Sequence, residues 1–389
     1  IALGIGGWRL LEQLGIDPAV CHLNEGHAAL VTLERARAFM RRHGVGFWPA
    51  LWATRAGNVF TTHTPVAAAF DTFPVELVAQ YGRDYAEDLG IAPEKLLALG
   101  RLHHEAGEPF NMAFLAARTC GRINAVSRLH GEVSRRIFQG LYPRWPRHEV
   151  PIGHVTNGVH VSSWDSAHAD RLWTDACGKS RWLGQCEGLD ESIAAVPDEH
   201  IWDMRAAARR DLVVYARSRL RTQLGQRGAD RATIARADDV LDPNVLTLGF
   251  ARRFTEYKRP AMLLRDADRL ARLVGDPARP VQVIVAGKAH PHDHQGKDYI
   301  AQWSAFARRE DVRARVVFLE DYDLALARQL VQGVDVWINT PRRGWEACGT
   351  SGMKVLVNGG LNLSELDGWW DEAYSPQAGW GINGGSEIG

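Results

Sequence analysis

The sequence predicts an α/β protein made of two halves, each a parallel sheet covered by helices. Three observations carry that expectation. Short apolar, β-branched segments alternate with segments of helical period, the pattern of parallel sheets. The alternation occurs twice, with a mainly helical stretch and a Gly/Arg/Asp-rich stretch between the two series. Polar residues gather where the strands end, the side on which open α/β sheets collect ligands. A chain of 389 residues has the length of two such domains.

Residues 1–15 pattern as a helix with Leu10, Leu11 and Leu14 on one face. Residues 19–24 read as a buried strand, Glu25-Gly26-His27 as a turn, and 28–42 as a long helix. The stretch 58–65 repeats the design: a β-branched strand, then polar residues, His63 and a proline stop. Residues 122–127 form a third strand, with a helix after it through 133, and 154–159 a fourth that ends in an Asn157-Gly158 turn. His22, Asn24, His63, Ser127 and Asn157 thus fall at or near strand ends. Any one of them suits a cap or turn as well as a ligand; together they describe a shared rim.

Residues 160–240 are mainly helical by pattern, with a break near Pro197. The arginine-dense part, 205–236, is expected to be an amphipathic helix with a solvated basic face, and 225–243 an exposed connection. The second series places strands at 245–251, 281–286, 315–319 and 334–339, and helices at 260–273, 299–308 and 324–331. The domains are expected at 1–155 and 156–389. The chain opens on Ile1-Ala2-Leu3 without a methionine and stops at Glu387-Ile388-Gly389 without a closing helix, so it is read as a piece of a longer protein, its first domain incomplete and its C-terminus truncated.

Composition removes several function classes. Basic and acidic residues are 46 each, so no net positive field exists to attract nucleic acid or an anionic membrane. No apolar run approaches a membrane span and no signal peptide is visible. The five cysteines (Cys21, Cys120, Cys177, Cys186 and Cys348) are scattered, odd in number and without metal-ligand spacing. A reduced, cytoplasmic protein with no metal follows most simply. The 14 tryptophans suit sugar rings as well as cores.

Two segments carry chemistry. Glu346-Ala347-Cys348-Gly349-Thr350-Ser351-Gly352-Met353-Lys354 sets glycines around hydroxyls ahead of a helical run, a backbone suited to an anion. Lys354 lies one turn beyond Thr350 on the same helix face. A lysine amine held near an aldehyde forms a Schiff base, and pyridoxal phosphate joins an aldehyde to a phosphate on one small ring. The same residues would also serve as a turn before a surface helix. The second segment, from Arg252 to Pro260, puts four cations directly beyond a strand end: Arg252, Arg253, Lys258 and Arg259. Guanidinium forks and ammonium charges suit phosphate.

Assembled, these segments resemble the α-glucan phosphorylases, in the style of their shorter bacterial and archaeal branch. The resemblance rests on Asn24-Glu25-Gly26-His27, Phe60-Thr61-Thr62-His63-Thr64, Thr156-Asn157-Gly158, residues 253–259, Gly287-Lys288-Ala289, residues 318–322, residues 346–354 and Leu366-Asp367-Gly368. It implies a GT-B fold, in which two Rossmann-like parallel-sheet domains face a cleft. The first domain would lie on the glucan side and the second would carry pyridoxal phosphate.

It also implies roles. Lys354 would hold the cofactor covalently, with Gly349, Thr350 and Arg252 at its phosphate and Tyr322 beside it. Arg253 and Lys258 would bind substrate phosphate. Glu346, Gly349, Asn157 and His63 would hold the terminal glucose, with Tyr257 close by. The implied reaction is phosphorolysis of α-1,4-glucan or maltodextrin from the non-reducing end by inorganic phosphate, with retention. The partners would be those substrates, with an oligomer also compatible.

Cys348 stands where serine is common in the family, and Arg252 where long-chain members carry lysine. The family's glycine-rich loop over the substrate phosphate falls before Ile1. The alternatives are a nucleotide-sugar glycogen or starch synthase, which needs no covalent lysine, and an inactive glycan-binding protein on the same scaffold.

Overall fold

The structure is a computed structural model that describes residues 1–103, 105, 107–184 and 187–382. The chain forms two compact units, Ile1–Asn157 with Gly344–Cys348, and Gly158–Arg343 with Gly349–Gly389.

The first unit holds a parallel sheet of four strands, β1 (Cys21–Asn24), β2 (Asn58–Thr61), β3 (Arg122–Ala125) and β4 (Ile152–His154), in spatial order β1-β2-β3-β4. Asn24 pairs with Thr61 and Thr61 with Asn124, so the carboxyl ends lie in one row. Leu23, Phe60 and Ile123 form its core with Leu33, Leu115 and Phe138 from the helices. Two of its helices start where a side chain relieves unpaired N–H groups. Asn111 Oδ1 accepts from Ala113 N at 2.8 Å, and Ser127 Oγ from His130 N at 3.2 Å.

Two expectations fail here. Residues 1–15 hold a π turn (Ala2–Gly6) and a helix (Gly7–Gln13), but Leu10 and Leu14 are 58% and 63% exposed, whereas Trp8 is buried. Gly4 decides the face, because a Cβ there would come within 2.9 Å of Val31 N. The fourth strand is Ile152–His154, earlier than the apolar pattern suggests. Ile152 is the buried residue paired with Ile123, while Val155 is 67% exposed. The helices Phe47–Arg55, Val75–Asp88 and Met112–Thr119 went unread in the sequence.

The second unit holds six parallel strands: β5 (Leu246–Arg253), β6 (Val281–Lys288), β7 (Val316–Leu319), β8 (Val336–Asn339), β9 (Leu361–Glu365) and β10 (Gly379–Ile382). Their order is β10-β9-β8-β5-β6-β7. Winding starts at β5, runs outward through β6 and β7, then returns to β8 on the other side. This is the doubly wound order, and the crevice between the carboxyl ends of β5 and β8 is its topological switch point. β9 and β10 were not anticipated.

The helix Asp198–Gln226 begins directly after Pro197, which fixes its entry. Its basic face is not all solvated. Arg205 and Arg209 are each 6% exposed, and Arg205 donates to the carbonyls of Gln332, Gly333, Val334 and Asn358. Buried loop carbonyls need donors, and this arginine supplies them. The stretch 225–243 is likewise not a simple exposed connection, since Ala237 and Leu241 are buried. The helix expected at 260–273 is split: Met262–Asp266 is a 3-10 turn, and Asp266 Oδ1 caps Arg269 N at 2.8 Å to start the helix Ala267–Gly275. Among the described residues no helix is long and apolar enough to cross a membrane. Cys21, Cys120, Cys177 and Cys348 form no disulfide; Cys186 and Glu387-Ile388-Gly389 lie outside the described residues.

Candidate active site

In the first unit the strand ends build a polar, largely uncharged rim. His22 Nε2 lies 2.7 Å from Thr61 Oγ1, which donates to Asn124 Oδ1 at 3.0 Å. His63 Nε2 lies 2.6 Å from Asn24 Oδ1. Burial holds the His63 imidazole below its ordinary pKa, and the neighbouring His22 and His27 push the same way against the Glu25 carboxylate. Burial thus favours the neutral imidazole. His130, buried behind it, is pushed down to about 4 by burial.

Asn157 follows β4, its N–H bonded to Val126 O at 3.1 Å. Ser127 donates to Ala347 O at 2.6 Å, which fixes the residue beside Glu346 to the end of β3. His63, Asn157 and Glu346 thus belong to one unit. Residues 344–348 return to this unit from far along the chain, and local sequence pattern does not signal it.

In the second unit the site lies at the switch point. Arg252 and Arg253 are the last two residues of β5, not beyond its end as the sequence suggests; Arg252 is 7% exposed and Arg253 is exposed, while Lys258 is 8% exposed, with Nζ 4.9 Å from the centroid of the Tyr257 ring. The four cations of this segment are not equivalent. Arg259 sits in the left-handed region at φ 47° and turns away to bond Thr340 O at 2.9 Å, Pro341 O at 2.7 Å and Glu365 at 2.6 Å. It ties the segment after β5 to the ends of β8 and β9. Thr340 answers by donating to Lys258 O at 3.2 Å.

Two buried polar atoms at these strand ends, Asn339 Oδ1 and Thr255 Oγ1, have no hydrogen-bond partner among the described residues. Native structures leave few such atoms, and a polar ligand is one explanation.

Gly349 (φ 83°) makes the turn that ordinary residues resist. Thr350 directly precedes the short helix Ser351–Val357, and Lys354 N bonds Thr350 O at 3.2 Å, one turn apart as its spacing requires. Lys354 is half-buried, and burial holds its amine below the ordinary lysine pKa. Its Nζ stands 3.7 Å from the centroid of the Trp164 ring. Asn358 secures that pair, its Nδ2 donating to Trp164 O at 3.0 Å and Lys354 O at 2.9 Å. Tyr322 packs on the core cluster that contains Ala251 and Val355; burial raises its pKa, with the Arg252 charge offsetting part of the rise. Arg252 and Tyr322 are therefore neighbours, and Lys354 precedes Val355 of the same core cluster. Trp164, Asn358 and the stapling role of Arg259 were missed. Only the spacing of Lys354 and Asn358, one turn apart, was available as a signal.

A doubly wound α/β unit with buried cations and a desolvated lysine near its switch point has the chemistry that suits a phosphate-bearing ligand. The comparisons with known proteins are more specific. The carbohydrate phosphorylase family model matches residues 11–370, and the chain belongs to that family. It is 44% identical to a glycogen phosphorylase of Mycobacterium tuberculosis (strain ATCC 25618 / H37Rv) over 98% of this chain and 45% of that protein. It is 40% identical to a maltodextrin phosphorylase of Thermococcus litoralis, again over 98% and 45%. A glycogen phosphorylase of Aquifex aeolicus is 39% identical over 98% of this chain and 54% of its own length. The chain thus spans about half the length of these relatives.

Proposed function

We propose that this chain is part of an α-1,4-glucan phosphorylase, an enzyme that transfers the terminal glucose of a glucan or maltodextrin to inorganic phosphate and releases α-D-glucose 1-phosphate. The observation that carries the reading is Lys354, a half-buried amine of lowered pKa one turn after the Gly349-Thr350 turn, in the same unit as the buried Arg252 and Lys258.

The donor set suits pyridoxal phosphate. A desolvated amine is neutral more often than an ordinary lysine and so can attack an aldehyde. Gly349, Thr350 and Arg252 offer backbone N–H, hydroxyl and guanidinium groups to the cofactor phosphate, and Tyr322 makes a wall beside it. When bound, the cofactor supplies a phosphate group that relays a proton to the substrate phosphate.

The chain's own residues do the rest. Lys258 and Arg253 hold inorganic phosphate and favour one of the closely spaced anions staying protonated at neutral pH. His63, Asn157, Glu346 and Gly349 hold the terminal glucose, with Tyr257 near it. The phosphate protonates the glycosidic oxygen as the bond breaks. It then attacks the oxocarbenium-like sugar from that face, so configuration is retained without a pair of protein carboxylates. In this reading the two units face a cleft, as in a GT-B fold.

The test is release of glucose 1-phosphate from maltodextrin by the full reading frame that contains this chain, reconstituted with pyridoxal phosphate. Turnover should need inorganic phosphate and no nucleotide sugar. Turnover that required ADP-glucose or UDP-glucose would make the protein a synthase; glucan binding without turnover would make it a binding protein.

A further inference from the structure

We infer that Glu25 is the positioning residue that sets the His63 segment against the sugar, an inference that rests on the phosphorylase reading. The starting observation is backbone strain. Glu25 has φ 76° and ψ 173°, a region that only glycine occupies at ease. Both neighbours impose it. On one side Glu25 N donates to Thr61 O at 2.9 Å, which continues the β1–β2 ladder. On the other, Gly26 is pressed so close to the helix Met112–Thr119 that a Cβ would come within 3.0 Å of Ala113 N.

The strain aims a carboxylate at the segment after β2. Oε2 accepts from His63 N at 2.7 Å and from Thr64 Oγ1 at 2.9 Å, while Oε1 accepts from Gly26 N at 3.0 Å. Asn24, the residue before Glu25, holds the same His63 by its ring at 2.6 Å. The backbone and ring of His63 are thus fixed independently by two consecutive residues at the end of β1. Charge-assisted bonds of this kind are stronger than neutral ones. A residue with no function here would be expected to relax to glycine, which meets the same φ without strain. Glu25 holds that conformation with both carboxylate oxygens engaged, which points to use of its carboxylate. Since the Glu25 carboxylate is engaged by His63, Thr64 and Gly26, its action falls on the His63 segment and leaves phosphate binding alone.

The experiment compares Glu25→Gln and Glu25→Gly with the parent in the full reading frame, loaded with pyridoxal phosphate. Gln keeps the shape but presents an NH2 group to donors; Gly removes both the carboxylate and the strain. Both variants should keep the cofactor absorbance and a phosphate KM within about twofold of the parent. Their kcat/KM for maltodextrin should fall about ten- to a hundredfold, the range for losing charge-assisted contacts. Hydrogen–deuterium exchange of the peptide covering residues 60–66 should accelerate most in Glu25→Gly, where the His63 amide loses its acceptor, and less in Glu25→Gln, which keeps one carbonyl oxygen.

A glucan kcat/KM within about twofold of the parent would overturn the inference. So would loss of cofactor and phosphate binding alongside glucan turnover in both variants, which would make Glu25 an anchor of the fold. If the parent itself releases no glucose 1-phosphate, the phosphorylase reading fails, and unchanged exchange at residues 60–66 would separately refute the hold on His63.

Discussion

The strand ends of the two units are built from different chemistry. In the first, His22, Asn24, Thr61, His63 and Asn124 form hydrogen-bond pairs of imidazole, amide and hydroxyl groups, and the carboxylate beside them, Glu25, is spent on backbone and hydroxyl donors. In the second, Arg252 and Lys258 are cations at 7% and 8% exposure, and a lysine amine is desolvated against Trp164. A neutral polyol needs directional donors and acceptors at fixed positions. Phosphates need charge held out of water, where its field is strong. Under the proposed phosphorylase function the contrast would correspond to a division of labour, with sugar read by the first unit and phosphate and cofactor handled by the second. Both accept strain to do so, since Glu25 after β1, Arg259 after β5 and Asp321 after β7 all have positive φ.

The strongest way to break the contrast is at Lys354. Lys354→Ala in the reconstituted full reading frame is expected to lose cofactor retention and to cut glucose 1-phosphate release on the order of a thousandfold or more, with no loss of glucan binding by affinity electrophoresis. The lowered amine pKa adds a pH signature. The apo protein bears a penalty while Lys354 is protonated, complete below its folded pKa. Apo stability should therefore rise with pH between that value and the ordinary 10.5. In Lys354→Met, denaturant unfolding followed across that window should lack this rise.

Next in size are the phosphate cations. Lys258→Ala and Arg253→Ala should raise the phosphate KM about ten- to a hundredfold, from contacts of about 1.5–3 kcal/mol. Glucan KM should move little. Because Lys258 is buried and Arg253 exposed, the lysine should give the larger effect; initial rates over a phosphate series decide it.

Arg259 sharpens the comparison differently, since it binds carbonyls and Glu365 instead of ligand. Arg259→Ala should lower stability by about 1–3 kcal/mol in denaturant melts, a larger loss than for Arg253→Ala. Smallest should be Trp164→Leu. Loss of the cation–π contact should weaken pyridoxal phosphate binding about two- to thirtyfold, read by fluorescence titration of the apo protein.

Much of this was legible in the sequence because it is written locally. The β-branched strands before His63 and Arg252, the glycine turn before Lys354 and the one-turn spacing to Thr350 all depend on neighbours in the chain. What was not legible depends on distant partners. Leu10 and Leu14 look like a core face until Gly4 settles on Val31. Arg205 looks solvated until the carbonyls of 332–334 need a donor. Trp164 is an ordinary tryptophan until Asn358 brings it to Lys354. The functional types were visible, whereas the supports that aim them belong to the folded chain.

The central claim is that the Gly349–Lys354 turn is a cofactor site, and the most direct measurement is chemical. The protein is reconstituted with pyridoxal phosphate, reduced with borohydride, digested and mapped by mass spectrometry. The account predicts one stoichiometric label, on the peptide containing Lys354, and a near-ultraviolet band beyond the aromatic absorption before reduction. A label on Lys258, Lys288 or another lysine, or none after supplementation, would contradict it.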